Sequence, residues 1–243
     1  MTGVNGTPSN SARIAISDLV FVLGTLFAVK TVLLKFDALW TYAGPIALLA
    51  SLGVATVCLR LNNEGWGDLG LRRPKSILVA LLWTVGILVV TMALGIVIES
   101  VVASTITPPD GAASEIDQRY ANRFADVPGN LPVYLYWLAI SWIIGGFTEE
   151  LLFRGMLISR FERVFSFAPF AVIIAVILQA VIFGQQHLYY QGIGGALATG
   201  AIAFVSGGFY LLLKRNLWPL TLSHGLANTI GLTLLYTGFQ PPA

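Results

Sequence analysis

Apolar residues run along this chain in blocks of about twenty, enough for a helix rising 1.5 Å per residue to cross about 30 Å of hydrocarbon. The blocks predict seven helices at about 16–36, 39–60, 77–102, 133–157, 168–187, 192–213 and 218–238. Asp18 and Lys30 interrupt the first block, and only a short stretch separates it from the second, so six to eight segments fit the pattern. The polar residues before it include a single basic one, Arg13, and no small-residue cleavage site, which reads as a retained helix rather than a signal peptide. The expected organisation is a cytoplasmic tail over 1–15, three leading helices over 16–103, a polar extracytoplasmic loop over 104–132, and a four-helix core over 133–238. The loop holds Pro108, Pro109, Asp110 and Gly111. No repeat period is evident, and the two halves lack matching broken helices.

Composition makes this an all-α, polytopic membrane helix bundle. Hydrophobic residues are 56% and charged residues 11% of the chain, with a mean hydropathy of +0.78, whereas about a quarter of a soluble domain is charged. The net charge of +2 is small and its basic residues are dispersed, which excludes a nucleic-acid surface. A lone cysteine, Cys58, excludes an intrachain disulfide and a cysteine metal cluster. With seven spans, Arg13, Arg60, Arg72, Arg73, Lys75, Arg160, Arg163, Lys214 and Arg215 fall on one side, and Lys35, Arg119 and Arg123 on the other. The positive-inside rule then predicts a cytoplasmic N-terminus in a plasma (inner) membrane.

Against that background Glu149, Glu150 and Arg154 stand out inside an apolar block, where each exposed charge costs roughly 2.5 to 3.5 kcal/mol. Glu150 and Arg154 have the spacing and order of a helical ion pair. Glu149 lies about 100° round an α-helix from Glu150, which leaves its carboxylate available. Two further pairs have helical spacing: Phe183 with His187, and His224 with Asn228. Measured along their helices, Glu149 lies about 20 Å above Glu162, while Asn228 and His224 lie about 20 and 14 Å above Arg215. His187 lies about 30 Å above a helix start at Ala168, closer if that helix starts later. A mid-membrane chamber reachable from the cytoplasm joins all four.

A carboxylate beside an imidazole can activate water and return the proton to a leaving amine. An amide NH₂ and a second imidazole can stabilise the oxyanion. Glu149, His187, His224 and Asn228 therefore make a peptide-hydrolysis set that requires no cofactor. The alternative is zinc held by Glu149, His187 and His224 with water in the fourth position, although no His-Glu-x-x-His pair accompanies it.

Glu149-Glu150-x-x-x-Arg154, Phe183-x-x-x-His187 and His224-x-x-x-Asn228, in that order, resemble the three motifs of the CAAX prenyl endopeptidase type II and bacteriocin-processing family, the CPBP or Abi intramembrane proteases. The run from Trp66 to Pro74 also looks like a loop of its bacterial members. The resemblance implies peptide-bond hydrolysis in the membrane, with Glu149 activating water, His187 assisting, His224 and Asn228 stabilising the oxyanion, and Glu150, Arg154 and Phe183 in support. It implies a peptide or lipidated protein as substrate. A non-catalytic scaffold or immunity protein is the main rival, but it has no use for an unpaired Glu149. A proton-coupled transporter follows, with only Gly145 and Gly146 as the mark of a broken helix.

Overall fold

The structure is a computed structural model that describes residues 8–105 and 115–239. The tail up to residue 7 and the loop's Pro108, Pro109, Asp110 and Gly111 lie outside the described residues. Each apolar block forms helix: α1 (Pro8–Leu33), α2 (Ala43–Leu61), α3 (Ile77–Thr105), α4 (Glu115–Arg123), α5 (Leu131–Ser141), α6 (Ile158–Val164), α7 (Ala171–Leu212) and α8 (Trp218–Tyr236). A 3₁₀ turn, Asp37–Tyr42, leads into α2, and a π-helix, Trp142–Leu157, joins α5 to α6 without a break. There is no strand among the described residues.

Three boundaries differ from expectation. α1 begins at Pro8, so part of the expected tail is helical, and the polar insertion contains α4. The α4 sequence is polar but amphipathic, with acids in its first turn and Arg123 in its last, which suits the helix dipole. The third difference is α7, one continuous run of 42 residues where two helices were expected. Gly192 resolves it, with φ 64° and ψ −169°, a backbone that L side chains rarely adopt. Across that turn Gly184 faces Ala196 and Gly200, and Gln179 Nε2 donates to Ala203 O at 2.9 Å. The two arms, 171–191 and 193–212, therefore run antiparallel as the fifth and sixth passes.

Among the described residues, five stretches are long and apolar enough to cross a membrane: Ser11–Leu33, Asp37–Leu61, Ile77–Val102, Leu131–Val164 and Ala171–Leu212. The last folds back on itself, and α8, whose Ser, His, Asn and Thr residues dilute its hydropathy, is not among the five. Leu78, Leu82, Val89 and Ile96 of α3 remain exposed, as a face turned to lipid would be.

The two ends of the bundle differ chemically. At one, Arg160 Nε meets Asp18 Oδ2 at 2.7 Å, Arg160 Nη2 meets Glu64 Oε2 at 2.6 Å, and Arg163 Nη1 meets Glu64 Oε1 at 2.6 Å. Arg215 pairs there with Glu162 at 2.7 Å, and Arg72 donates to Lys214 O. Glu162 and Arg215, the two depth markers used above, thus lie side by side. The opposite end carries α4, the Arg119–Asp37 pair and aromatic contacts, with Tyr42 stacked on Trp137 and Trp40 edge-on to Tyr189.

Candidate active site

The site is built where α8 crosses the π-helix. Within that segment the Ile158 N–H bonds to Phe153 O and Thr148 Oγ1 donates to Ile143 O, each five residues back. Such widening usually occupies a single turn and marks functional sites. Here it spans 16 residues and contains Glu149, Glu150 and Arg154. The α-helical angle expected between the two glutamates does not carry over to this wider backbone.

Glycines set how close α8 comes. A Cβ on Gly145 would lie 2.5 Å from Asn228 Nδ2 and 3.3 Å from His224 Nε2, and one on Gly225 would lie 2.5 Å from the Trp142 ring. Small residues on both helices thus let the backbones approach, as at other tight membrane crossings. The Gly145–Gly146 pair serves this crossing and does not break the helix.

Glu150 and Arg154 form the expected pair, Oε1 to Nη1 at 3.1 Å, with both side chains essentially excluded from solvent. Glu150 Oε1 also accepts from His224 Nδ1 at 2.9 Å, so the carboxylate orients that imidazole as well as balancing the arginine. His224 Nε2 is then directed toward Glu149 Oε2 at 3.8 Å. Glu149 receives no shorter polar contact among the described residues, which leaves it the less constrained carboxylate of the two.

Phe183 explains why an aromatic sits one turn from His187. The Arg154 guanidinium lies over its ring at 4.7 Å, and its ring contacts His187 at 4.6 Å and Phe153 at 4.8 Å. His187 Nδ1 donates to Phe183 O at 2.8 Å. A carbonyl can only accept, so neutral His187 keeps its proton on Nδ1 and offers Nε2 as an acceptor. Because α7 starts at Ala171 rather than 168, His187 stands lower in the bundle than first measured.

Glu149, Glu150, Arg154, His187, His224 and Asn228 all line one cavity of about 970 Å³. Its other walls run to Tyr120 and Arg123 of α4 and to Tyr190. None of the basic-end arginines lines it. The chamber therefore leads from mid-bundle toward the α4 end, which corrects the expected approach from the basic, cytoplasmic side. Which helices part above the site is a matter of tertiary packing, and the hydrophobic blocks carry no sign of it.

Among the described residues no group of three or more His, Cys, Asp or Glu side chains is arranged to hold a metal. Glu149, His187 and His224 share the chamber without converging as ligands, although each histidine has Nδ1 engaged by an oxygen of the protein and keeps Nε2 open, as a ligating imidazole would. As placed here they do not fit a zinc triad. Two neighbours escaped the sequence reading. Lys30, buried in α1, donates to Gln186 Oε1 at 2.6 Å beside His187, and its position as an ionisable residue in an apolar helix was the available signal. Arg123 is the other, and nothing local to its sequence marks it.

Residues 131–230 match the family model described as Type II CAAX prenyl endopeptidase Rce1-like. All three polar motifs fall within that stretch. No curated protein and no solved structure matches the chain.

Proposed function

From a chain that carries an Rce1-like type II CAAX prenyl endopeptidase domain, of a protease family, over residues 131–230, we propose hydrolysis of a peptide bond in a membrane-associated or lipidated substrate by water activated on Glu149. The observation that carries this reading is the Glu149 carboxylate in the chamber wall, 3.8 Å from His224 Nε2 and otherwise free of close polar partners among the described residues.

Glu149 takes one proton from a water molecule while the water oxygen bonds to the scissile carbonyl carbon. The acceptor nitrogen of His187 helps to orient that water. The carbonyl becomes an oxyanion, to which Asn228 Nδ2–H donates, joined by protonated His224 through Nε2–H. Donors of this kind are each worth about 10²- to 10³-fold. Collapse of the intermediate breaks the C–N bond, and the proton held by Glu149 passes to the leaving amine, a general acid–base contribution of about 10²- to 10⁴-fold. Glu150 and Arg154 act through His224 by fixing its orientation. No step is routed through zinc.

The basic end is assigned to the cytoplasm on the positive-inside rule, so the chamber faces the extracytoplasmic half of the membrane. The test is purified full-length protein in proteoliposomes, given matched lipidated and unlipidated peptides and analysed by mass spectrometry. The expected result is cleavage of a lipidated peptide that persists after exhaustive chelation. Cleavage abolished by chelation and restored by zinc overturns the metal-free mechanism, and no cleavage of any peptide favours the scaffold reading.

A further inference from the structure

Two arginines one turn apart on α4 live in opposite surroundings. Arg119 pairs with Asp37 at 3.3 Å and Glu115 at 3.4 Å on the outside of the bundle. Arg123 has no ion-pair partner within 4 Å among the described residues, although it lines the same chamber as Glu149 and His224. Its guanidinium rests on three aromatic rings, 4.9 Å from Trp137, 5.3 Å from Phe124 and 5.5 Å from Tyr190. Its Nε is buried and has no hydrogen-bond partner among the described residues.

Aromatic faces hold a cation in place but supply no acceptor for its N–H groups. A buried donor left unmade is costly, and the natural complement of a guanidinium fork is a carboxylate. Glu99, exposed on α3, also borders the chamber but does not reach Arg123. The Tyr190 ring that carries Arg123 lies 5.4 Å from the His187 ring. Arg123 is therefore no more than about 11 Å from the imidazole, within reach of a few extended residues of a bound peptide.

We propose that Arg123 is a carboxylate-binding subsite at the α4 end of the chamber, selecting substrates with an acidic group a short distance from the scissile bond. This deepens the peptidase reading and rests on it for the nature of the ligand. The carboxylate can belong to a chain terminus or to an Asp or Glu side chain, chemistry that Arg123 recognises alike.

The test is equilibrium binding, so it does not depend on turnover. Fluorophore-labelled apolar hexapeptides are titrated into the full-length protein in phosphatidylcholine nanodiscs and followed by anisotropy. One series compares a C-terminal acid with its amide, and a second, amidated throughout, compares Asp with Asn one to four residues from the end. The carboxylate form should bind about tenfold tighter in at least one series, as expected for a charge-assisted hydrogen bond, and the series that responds identifies the source. Arg123→Gln should erase the preference while Arg123→Lys keeps part of it, with thermal unfolding of both variants confirming the fold. Equal binding of charged and neutral peptides in both series, or a preference that survives in Arg123→Gln, overturns the subsite. So does displacement of the charged peptide by phosphatidylglycerol in the nanodisc, which assigns Arg123 to lipid phosphate. A protein that binds with this preference but never cleaves retains the subsite and loses the protease reading.

Discussion

Two buried arginines, Arg154 and Arg160, close together in the last third of the same continuous helix, show what separates a clasp from a site. Arg160 meets two carboxylates, Asp18 from α1 and Glu64 from the segment after α2, at 2.7 and 2.6 Å, and Arg163 shares Glu64. Those charges tie three parts of the chain together at one end of the bundle. Among the described residues Arg154 has one ion-pair partner, Glu150, and its guanidinium lies over the Phe183 ring. Among the described residues each arginine keeps a buried nitrogen without a hydrogen-bond partner, Nη1 of Arg160 and Nε of Arg154, but beside Arg154 Oε2 of Glu150 is unpartnered as well and Glu149 has a single distant imidazole. Charges that have met their complements locally give the bundle rigidity. Those left incompletely met are the ones the proposed mechanism assigns to a substrate and a transition state.

The largest predicted effect strikes the clasp. Arg160→Ala leaves Asp18 buried without its cation and should lower stability by about 3 to 5 kcal/mol, read as thermal or denaturant unfolding in detergent. Replacing both partners, as Asp18→Leu with Arg160→Met, should recover much of that loss, since an apolar pair leaves no buried charge behind. Whatever fraction folds should turn over normally. Loss of turnover in well-folded protein would place the clasp inside the catalytic machinery and erase the contrast.

A smaller effect is predicted where α8 meets the π-helix. Gly145→Ala puts a methyl group against Asn228 Nδ2 and His224 Nε2, and displacing a catalytic group by about 1 Å is worth about 10²-fold in rate. The expected result is a drop of that order in kcat with nearly unchanged thermal stability. An unaffected kcat means that the crossing tolerates a methyl and does not set the chemistry.

The least perturbing test concerns sidedness. In a Cys58→Ala background, single cysteines at Arg73 and Glu115 should label from opposite faces of a sealed vesicle, Arg73 from the cytoplasmic side. Labelling from the same side contradicts the seven passes and the direction assigned to the chamber.

Local features of this molecule were legible in the sequence. The apolar blocks became helices, the break expected between 187 and 192 is present as a fold-back, though it falls at Gly192, the first residue of the expected sixth helix, and the i, i+4 spacing of Glu150 and Arg154 matches their observed pair. Glu149, Glu150, His224 and Asn228 do gather at the crossing, as their depths along the helices implied. Features that depend on packing were hidden. Asp18 and Arg160 are 142 positions apart, so their pairing has no sequence period to announce it. The π-helical widening leaves the hydrophobic pattern of its segment looking like that of any helix, and the chamber's direction follows from the wall residues that α3, α4 and α8 contribute to it. The attachment of His224 to Glu150 needed the third dimension, since nothing in the sequence says which glutamate an imidazole on another helix will meet.

The central claim is that Glu149 activates the attacking water while the charges around it hold the site together. Single-turnover cleavage by Glu149→Gln, measured in proteoliposomes beside the wild type on the same peptide and at matched folded concentration, tests it most directly. The amide keeps the size of the side chain but cannot take a proton, so the rate constant should fall by at least about 10²-fold with an unchanged unfolding temperature. Cleavage by folded Glu149→Gln at the wild-type rate contradicts the account.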